Sequence, residues 1–101
     1  MATEAYSQPS LVAGARMDVR RFQTVLLVVS GMANGEVITP SASGSKGGAM
    51  VPYAGVKETD LSVTTTITAN GAYSLDAFAE FSWSSSLGVG STAVVDVIAK
   101  G

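Results

Sequence analysis

Hydrophobic and polar positions alternate along much of this chain, with the period of two that is typical of β-strands. The clearest case is Leu61 to Thr68, where Leu, Val, Thr and Ile alternate with Ser and Thr. We expect a half-buried antiparallel strand there. The pair Asn70-Gly71 tolerates the positive φ angles of a type I′ turn, and residues 72–76 alternate again. The pattern therefore predicts a β-hairpin over residues 61–76.

Shorter segments predict the remaining strands. The β-branched run at 22–30 is typical of a central strand buried on both faces, and Pro40 is expected to end a short strand at 35–39. The small residues at 41–48 indicate a flexible surface loop. Three further strands are predicted: an edge strand at 49–53, an aromatic strand at 79–85 with Trp83 in the core, and a last strand at 92–99.

These segments amount to about seven or eight short strands, without an apolar repeat of helical period. The sequence therefore predicts an all-β fold, an antiparallel β-sandwich or a jelly-roll-like arrangement. Residues 1–15 show no sustained period and are interpreted as an N-terminal arm or edge segment, with one short strand around Leu11 to Ala13. Residues 16–101 are expected to form a single β-sandwich domain.

Composition narrows the functional classes. The 101 residues carry a net charge of −2 and no cysteine, and their one basic cluster is Arg16, Arg20 and Arg21, so nucleic-acid binding is not expected. The longest apolar run, Val25 to Val29, is far shorter than the roughly 20 residues of a membrane-spanning helix. The first nine residues do not resemble a cleaved secretion signal. We therefore expect no membrane partner.

Candidate catalytic groups are sparse, because the chain has no histidine and no cysteine. Glu58 and Asp60 could bind Ca²⁺ with loop carbonyls, but a solvated turn is the favoured interpretation. Asp76 and Glu80 are a poor match to a glycosidase pair. The glycines around Lys46 lack the Ser or Thr and the helix of a phosphate-binding loop. The sequence predicts a non-enzymatic protein with no catalytic residues, no cofactor and no metal site.

Four residues are the candidates for partner binding: Arg16, Arg20, Arg21 and Tyr53. The arginines could dock the N-terminal segment onto an acidic surface through bidentate hydrogen bonds, and a solvated arm is an equally good interpretation. Tyr53 is the best candidate for an exposed ring in an aromatic platform that stacks a sugar. For the aromatic residues as a group, core packing is the favoured interpretation.

The run FQTVLLVVSG from Phe22, the segment TANGAYSLD from Thr68, the aromatic strand and the terminal GSTAVVDVIAKG resemble small β-sandwich virion proteins of tailed bacteriophages. The resemblance covers about residues 22–101, and the 41–48 loop departs from it. Such proteins decorate or cement capsids, or form parts of tails and head fibres. The resemblance implies a virion protein at the capsid surface, made in the host cytoplasm, that binds the major capsid protein and itself as a dimer or trimer.

Two functions follow as hypotheses. The first is a capsid decoration protein that uses its N-terminal segment and strand edges to hold neighbouring capsid subunits together. The alternative is a carbohydrate-binding or receptor-binding module of a phage tail or fibre, in which loops at one end of the sandwich hold a glycan. The two hypotheses differ in whether the arginines or the exposed aromatic residues carry the function.

Overall fold

The computed structural model describes residues 5–101, and it shows a sandwich of two antiparallel sheets. The strands are β1 Ala5–Gln8, β2 Met17–Asp18, β3 Thr24–Ser30, β4 Ile38–Ser43, β5 Val51–Pro52, β6 Gly55–Lys57, β7 Val63–Thr64, β8 Gly71–Asp76, β9 Glu80–Ser85 and β10 Val94–Lys100. The first sheet has six strands in the order β1-β10-β3-β8-β6-β7, and the second has four in the order β2-β9-β4-β5. A short 3₁₀ turn, Gly88–Gly90, precedes the last strand.

The core forms where the inward-facing residues of the two sheets meet. Each fully buried aliphatic or aromatic side chain contributes roughly 1.5–3 kcal/mol through removal of its surface from water. The predicted all-β antiparallel sandwich is therefore confirmed, because period-two alternation places one face of each long strand in this layer. The core side chains include Val25, Leu27, Val29, Ile38, Ile67, Tyr73, Leu75, Phe81, Trp83, Val95, Val97 and Ala99.

The strand predicted at 22–30 is central in the six-stranded sheet, between β10 and β8. Burial on both faces was a wrong prediction. Val25, Leu27 and Val29 are buried, whereas Leu26 is half-buried and Val28 is exposed on the outer face. The outer face has no second layer of secondary structure among the described residues, so a continuous apolar run does not imply two buried faces here.

The long strand predicted at 61–68 is wrong. Leu61 adopts a left-handed φ of 59°, and its N–H donates to the Lys57 carbonyl at 2.7 Å, so the chain turns at this position. Strand β7 is two residues long and pairs with β6. Beyond it the chain crosses to the other sheet, where Ile67 and Ile38 exchange two backbone hydrogen bonds of 2.7 and 2.9 Å.

The hairpin predicted through Asn70 is also wrong. Strand β8 pairs with β3 and β6, not with the strand that precedes it in sequence. A type I′ turn needs positive φ at both central residues, but Ser10 and Leu61 are the non-glycine residues with positive φ in the described part of the chain. The Asn70 side chain instead accepts a hydrogen bond from the Met32 N–H at 3.1 Å.

Pro40 does not end its strand, contrary to the prediction, and β4 continues to Ser43 and pairs with β9. The Tyr53 N–H donates to the Pro40 carbonyl at 3.2 Å. In an antiparallel strand the nitrogen of a residue faces the same side as its carbonyl, so the proline nitrogen faces β5 and removes no bond to β9. The connecting loop therefore begins at residue 44, and residues 41–43 of the predicted loop lie in the strand.

The N-terminal segment is packed on the sandwich. Ala5–Gln8 is the edge strand and pairs with β10, whereas the short strand predicted around Leu11 to Ala13 is absent. Leu11 is buried, and its carbonyl accepts a hydrogen bond from the Trp83 indole at 2.8 Å. Residues 5–15 therefore pack on the sandwich as an edge segment, and residues 1–4 of the segment predicted at 1–15 lie outside the described residues.

The other predicted strands are present within a few residues of their expected limits. Val51–Pro52 is an edge strand, Glu80–Ser85 carries Phe81 and Trp83 in the core, and Val94–Lys100 lies between β1 and β3 in the six-stranded sheet. In residues 5–101 there is no helix of the length and apolar character needed to cross a bilayer.

Candidate partner-binding surface

Arg16 is tied into a network around a buried carboxylate. Its Nη1 donates to Glu80 Oε1 at 3.1 Å and to the Gly48 carbonyl at 2.7 Å. Glu80 also accepts a hydrogen bond from the Gly47 N–H at 2.8 Å. Because these bonds join the chain before β2, the start of β9 and the loop after β4, Arg16 holds this end of the sandwich together. The charge of this arginine is shared with Glu80.

The same network lowers the pKa of Glu80 below its ordinary value of 4.5, first through the Gly47 N–H and then through Arg16. A carboxyl with a lowered native pKa stabilises the fold above its unfolded pKa, and this stabilisation is lost as the pH falls through the native value. We therefore expect the melting temperature of the wild type to fall below about pH 4.5 and the curve of Glu80→Gln to be flatter there. Thermal melting followed by circular dichroism measures this difference.

Asp18→Asn is the control for exposed charge. In the wild type, hydrogen bonds from Arg20 lower the pKa of Asp18 to about 2, but this ion pair is exposed to solvent and is screened by salt. The effect of Asp18→Asn should shrink in high salt, whereas the effect of Glu80→Gln should persist because Glu80 is buried. Parallel melting curves for wild type and Glu80→Gln at acid pH would contradict the role assigned to Glu80.

Arg20 lies on the surface and forms a two-pronged pair with Asp18. Arg20 Nε and Nη2 donate to the two carboxylate oxygens at 3.1 and 2.8 Å. Exposed pairs of this kind contribute little to stability. A guanidinium has five N–H donors, so the two bonds to Asp18 leave others that a partner can approach.

A groove runs between the edge strands β1 and β2, where the two sheets separate. Its volume is about 680 Å³, and its lining combines apolar side chains with two cations, Arg16 and Arg21, and one carboxylate, Asp18. Tyr6 and Gln8 form the β1 side, with the Tyr6 hydroxyl donating to Gln8 Oε1 at 3.1 Å. The structure therefore brings two of the three arginines to one groove, and Arg20 lines a different cleft. Leu11, Met17 and Phe22 supply the apolar part of the lining.

Tyr53 lies outside this groove and is half-buried. Its hydroxyl donates to the Asp76 carbonyl at 2.9 Å, and its ring meets Phe78 edge-on, with centroids 5.5 Å apart at 73°. Burial raises the pKa of Tyr53, so the phenol stays protonated and keeps its donor role. The more exposed ring is Phe78, at 51%. Tyr73, Phe81 and Trp83 are in the core and take no part in a surface platform.

Phe78 stands between two clefts and borders both. One cleft, of about 260 Å³, is mainly apolar and includes Val51, Pro52 and Tyr53. The other, of about 470 Å³, includes Arg20 and Lys46. Only a weak sequence signal indicates this arrangement: Phe78 lies between two alanines at a strand junction and not in an alternating strand.

The carboxylates considered for metal binding have protein partners. Asp60 accepts hydrogen bonds from the Ser62 N–H and hydroxyl at 3.0 and 2.6 Å, and Glu58 accepts one from the Ser74 hydroxyl at 2.9 Å. Within residues 5–101, no three potential ligands are grouped so that they could hold a metal ion.

Glu36 is a buried carboxylate that the sequence analysis did not single out. It accepts hydrogen bonds from the Ala33 N–H at 2.9 Å, the Ser85 hydroxyl at 2.5 Å and the Ser91 hydroxyl. The hydrogen bonds from Ser85 and Ser91, and then the one from the Ala33 N–H, lower the pKa of Glu36. The arrangement joins the loop before β4 to the end of β9 and the chain before β10, which is a structural role.

No protein-family model and no curated protein matches the sequence. Two solved structures match over the whole chain. The SPBc2 prophage-derived protein YomS shares 16% sequence identity with a TM-score of 0.82, and the match covers 96% of that chain. The PBSX exported protein XepA shares 21% identity with a TM-score of 0.85, and the chain spans 39% of its length. These likenesses show that the chain has the fold of YomS and of the matched part of XepA.

Proposed function

We propose that this chain is a non-enzymatic bacteriophage virion protein, most specifically a capsid decoration protein that binds the major capsid protein and neighbouring copies of itself. Support for a phage origin comes from the two structural neighbours, which are proteins of the SPBc2 and PBSX prophages. One neighbour is named as an exported protein, which agrees with a place on a virion or outside the cell. Support for the assembly role comes from the open strand edges of the six-stranded sheet.

The two outer strands of this sheet, β1 and β7, are suited to joining copies edge to edge. Every neighbouring pair is antiparallel, so the first and the sixth strand run in opposite directions. If a second copy lies beside the first in the same orientation, its β7 is antiparallel to β1 of the first copy and can pair with it. One row of directly paired residues crosses the whole sheet, so Val63 in β7 and Ser7 in β1 lie at the same position along the strand direction. The row is Val63, Val56, Ser74, Leu26, Ile98 and Ser7.

This alignment is the observation that carries the proposal. Open strand edges pair readily with other chains, and proteins that stay monomeric usually block them. Val63 is 73% exposed at one of these edges. A contact between different faces of two copies builds rings or filaments, which suits a protein that repeats over a shell. Each modest contact with the shell is then strengthened by the others.

The groove between β1 and β2 is the surface that we assign to the capsid protein. Its arginines favour an acidic partner, and an extended segment could add to the open edge of β2. Arg20 lies beside the groove on the same turn. Because rim charges act mainly by steering, binding to the shell should weaken as salt is added.

Co-sedimentation with decoration-free capsids of the source phage tests the function. We expect saturable binding at a copy number compatible with capsid symmetry, and weaker binding in high salt. Val63→Lys should reduce both self-association and shell occupancy, since a charge at the strand edge opposes pairing. Analytical ultracentrifugation of the free protein measures the self-association.

Leu61→Lys is the matched control, because Leu61 is 72% exposed, close to Val63, but lies on the turn outside the row of paired residues. It should leave both measurements unchanged. No binding of the wild type to bare shells would refute the decoration role. Equal effects of the two lysine variants would refute pairing through β7.

A carbohydrate-binding or receptor-binding module of a tail or fibre is the second candidate function. The exposed Phe78 ring beside Tyr53 is the observation that favours it, since sugar rings stack on aromatic faces. A chain that failed to bind shells and bound glycans would have this function. The two candidate surfaces share Arg20, but Phe78 does not line the groove between β1 and β2, so a substitution of Phe78 separates the two functions.

A further inference from the structure

Phe78 is exposed on a fixed backbone. It lies at the corner between β8 and β9, and the two residues beside it are held by hydrogen bonds: the Ala77 N–H donates to the Gln23 carbonyl at 3.0 Å, and the Ala79 N–H donates to the Ser43 carbonyl at 3.0 Å. The ring is therefore presented in place before any ligand arrives. Such preorganisation reduces the entropy lost on binding.

Tyr53 fixes the ring from one side. Its edge-on contact and its hydrogen bond to the Asp76 carbonyl hold the two aromatic residues as a pair. Phe78 also borders the larger cleft, which is open to solvent and has a volume of about 470 Å³. An apolar ring thus forms one wall of a cleft large enough for a sugar unit.

The same cleft is positively charged. Arg20 and Lys46 line it, and Asp18 is the carboxylate bound to Arg20, so two cations stand against one anion. Lys46 is near enough to Asp18 for its charge to help lower the pKa of that carboxyl. A guanidinium and an ammonium beside an aromatic ring are suited to a ligand with an apolar face and an anionic group.

We propose that the cleft lined by Phe78, Arg20 and Lys46 binds a sugar unit that carries a carboxylate or a phosphate. The sugar ring stacks on Phe78, and the anionic group contacts Arg20 and Lys46. This proposal rests on the second candidate function and specifies its ligand class. It does not require the groove between β1 and β2.

Titration of the ¹⁵N-labelled full chain, followed by NMR, tests the proposal with defined probes. A galacturonic acid trimer supplies the carboxylate, galactose-1-phosphate supplies the phosphate, and a galactose trimer is the neutral match. We expect at least one anionic probe to give saturable shifts at the amides of residues 44–46 and 78–79. Phe78→Ala and Lys46→Ala should each weaken that binding by about tenfold.

Leu87→Ala and Lys100→Ala are the matched controls, since they remove an exposed apolar side chain and an exposed cation at other places, and they should bind as the wild type does. Equal binding of the neutral trimer, equal binding of inorganic phosphate alone, or unchanged affinity in Phe78→Ala would overturn the proposal. So would the absence of saturable shifts with both anionic probes. Phe78→Ala should still sediment with shells, so failure of this site and failure of the decoration role are separate results.

Discussion

Replacing Trp83 with alanine is expected to lower the free energy of unfolding by about 3–5 kcal/mol, the usual cost of removing a large buried aromatic side chain. Trp83 is 4% exposed in the core between the two sheets. A domain of this size is stable by roughly 5–15 kcal/mol, so the variant should lose a large fraction of the free energy of unfolding. Urea denaturation followed by circular dichroism gives the free energy directly.

The loss of stability includes a hydrogen bond that helps to hold the N-terminal segment against β9. The Trp83 indole donates to the Leu11 carbonyl at 2.8 Å, and the Gly14 N–H donates to the Trp83 carbonyl at 2.8 Å. Trp83→Phe keeps most of the ring but leaves the buried Leu11 carbonyl without its donor, which should cost about 1–3 kcal/mol. Hydrogen exchange in residues 10–15 should become faster in this variant.

Leu87→Ala controls for the removal of an apolar side chain at the surface, where Leu87 is 40% exposed. Its effect should stay within about 0.5 kcal/mol. If Trp83→Phe were as stable as the wild type, the indole hydrogen bond would have no role in holding the N-terminal segment.

The fold class could be predicted from the sequence because alternation decides which side chains face a core. Glu80–Ser85 and Val94–Lys100 were found close to their expected limits. The first places Phe81 and Trp83 inward, and the second places Val95, Val97 and Ala99 inward. Alternation says nothing about the partner of a strand. Residues 61–68 have the clearest alternation in the chain, yet their neighbours are the three-residue strand β6 and, through Ile67, the opposite sheet.

The candidate site was less predictable, since its contacts join residues far apart in sequence. Arg16 and Glu80 are 64 residues apart, and nothing local to either residue indicates that they meet. The aromatic candidate illustrates the same limit. Tyr53 was named because it follows a predicted loop, whereas the exposed ring is Phe78, whose position is fixed by backbone bonds to Gln23 and Ser43.

Glycines were another source of error, because sequence does not distinguish a flexible glycine from one required by close packing. Composition predicts a flexible loop at 41–48, but the Gly47 N–H donates to Glu80 and the Gly48 N–H donates to the Ser45 carbonyl. Gly55, in contrast, lies in β6 against β8. A side chain built on Gly55 would place its Cβ 2.8 Å from Leu75 Cγ and 3.0 Å from the Ser74 carbonyl oxygen.

Gly55→Ala is therefore expected to destabilise the chain by about 1–3 kcal/mol, the cost of overpacking a tight contact. Gly44→Ala is the matched control, because a Cβ there meets no atom within 4 Å and the residue has no positive φ. Its effect should be near zero or a stabilisation of about 0.4–1 kcal/mol, since alanine restricts the unfolded chain. Hydrogen exchange should show that Gly55→Ala loosens β6 and β7 before the rest of the sheet. Because β7 is the edge proposed to join copies, Gly55→Ala should also weaken self-association. Equal stability of Gly55→Ala and Gly44→Ala would show that β6 does not need a glycine at position 55.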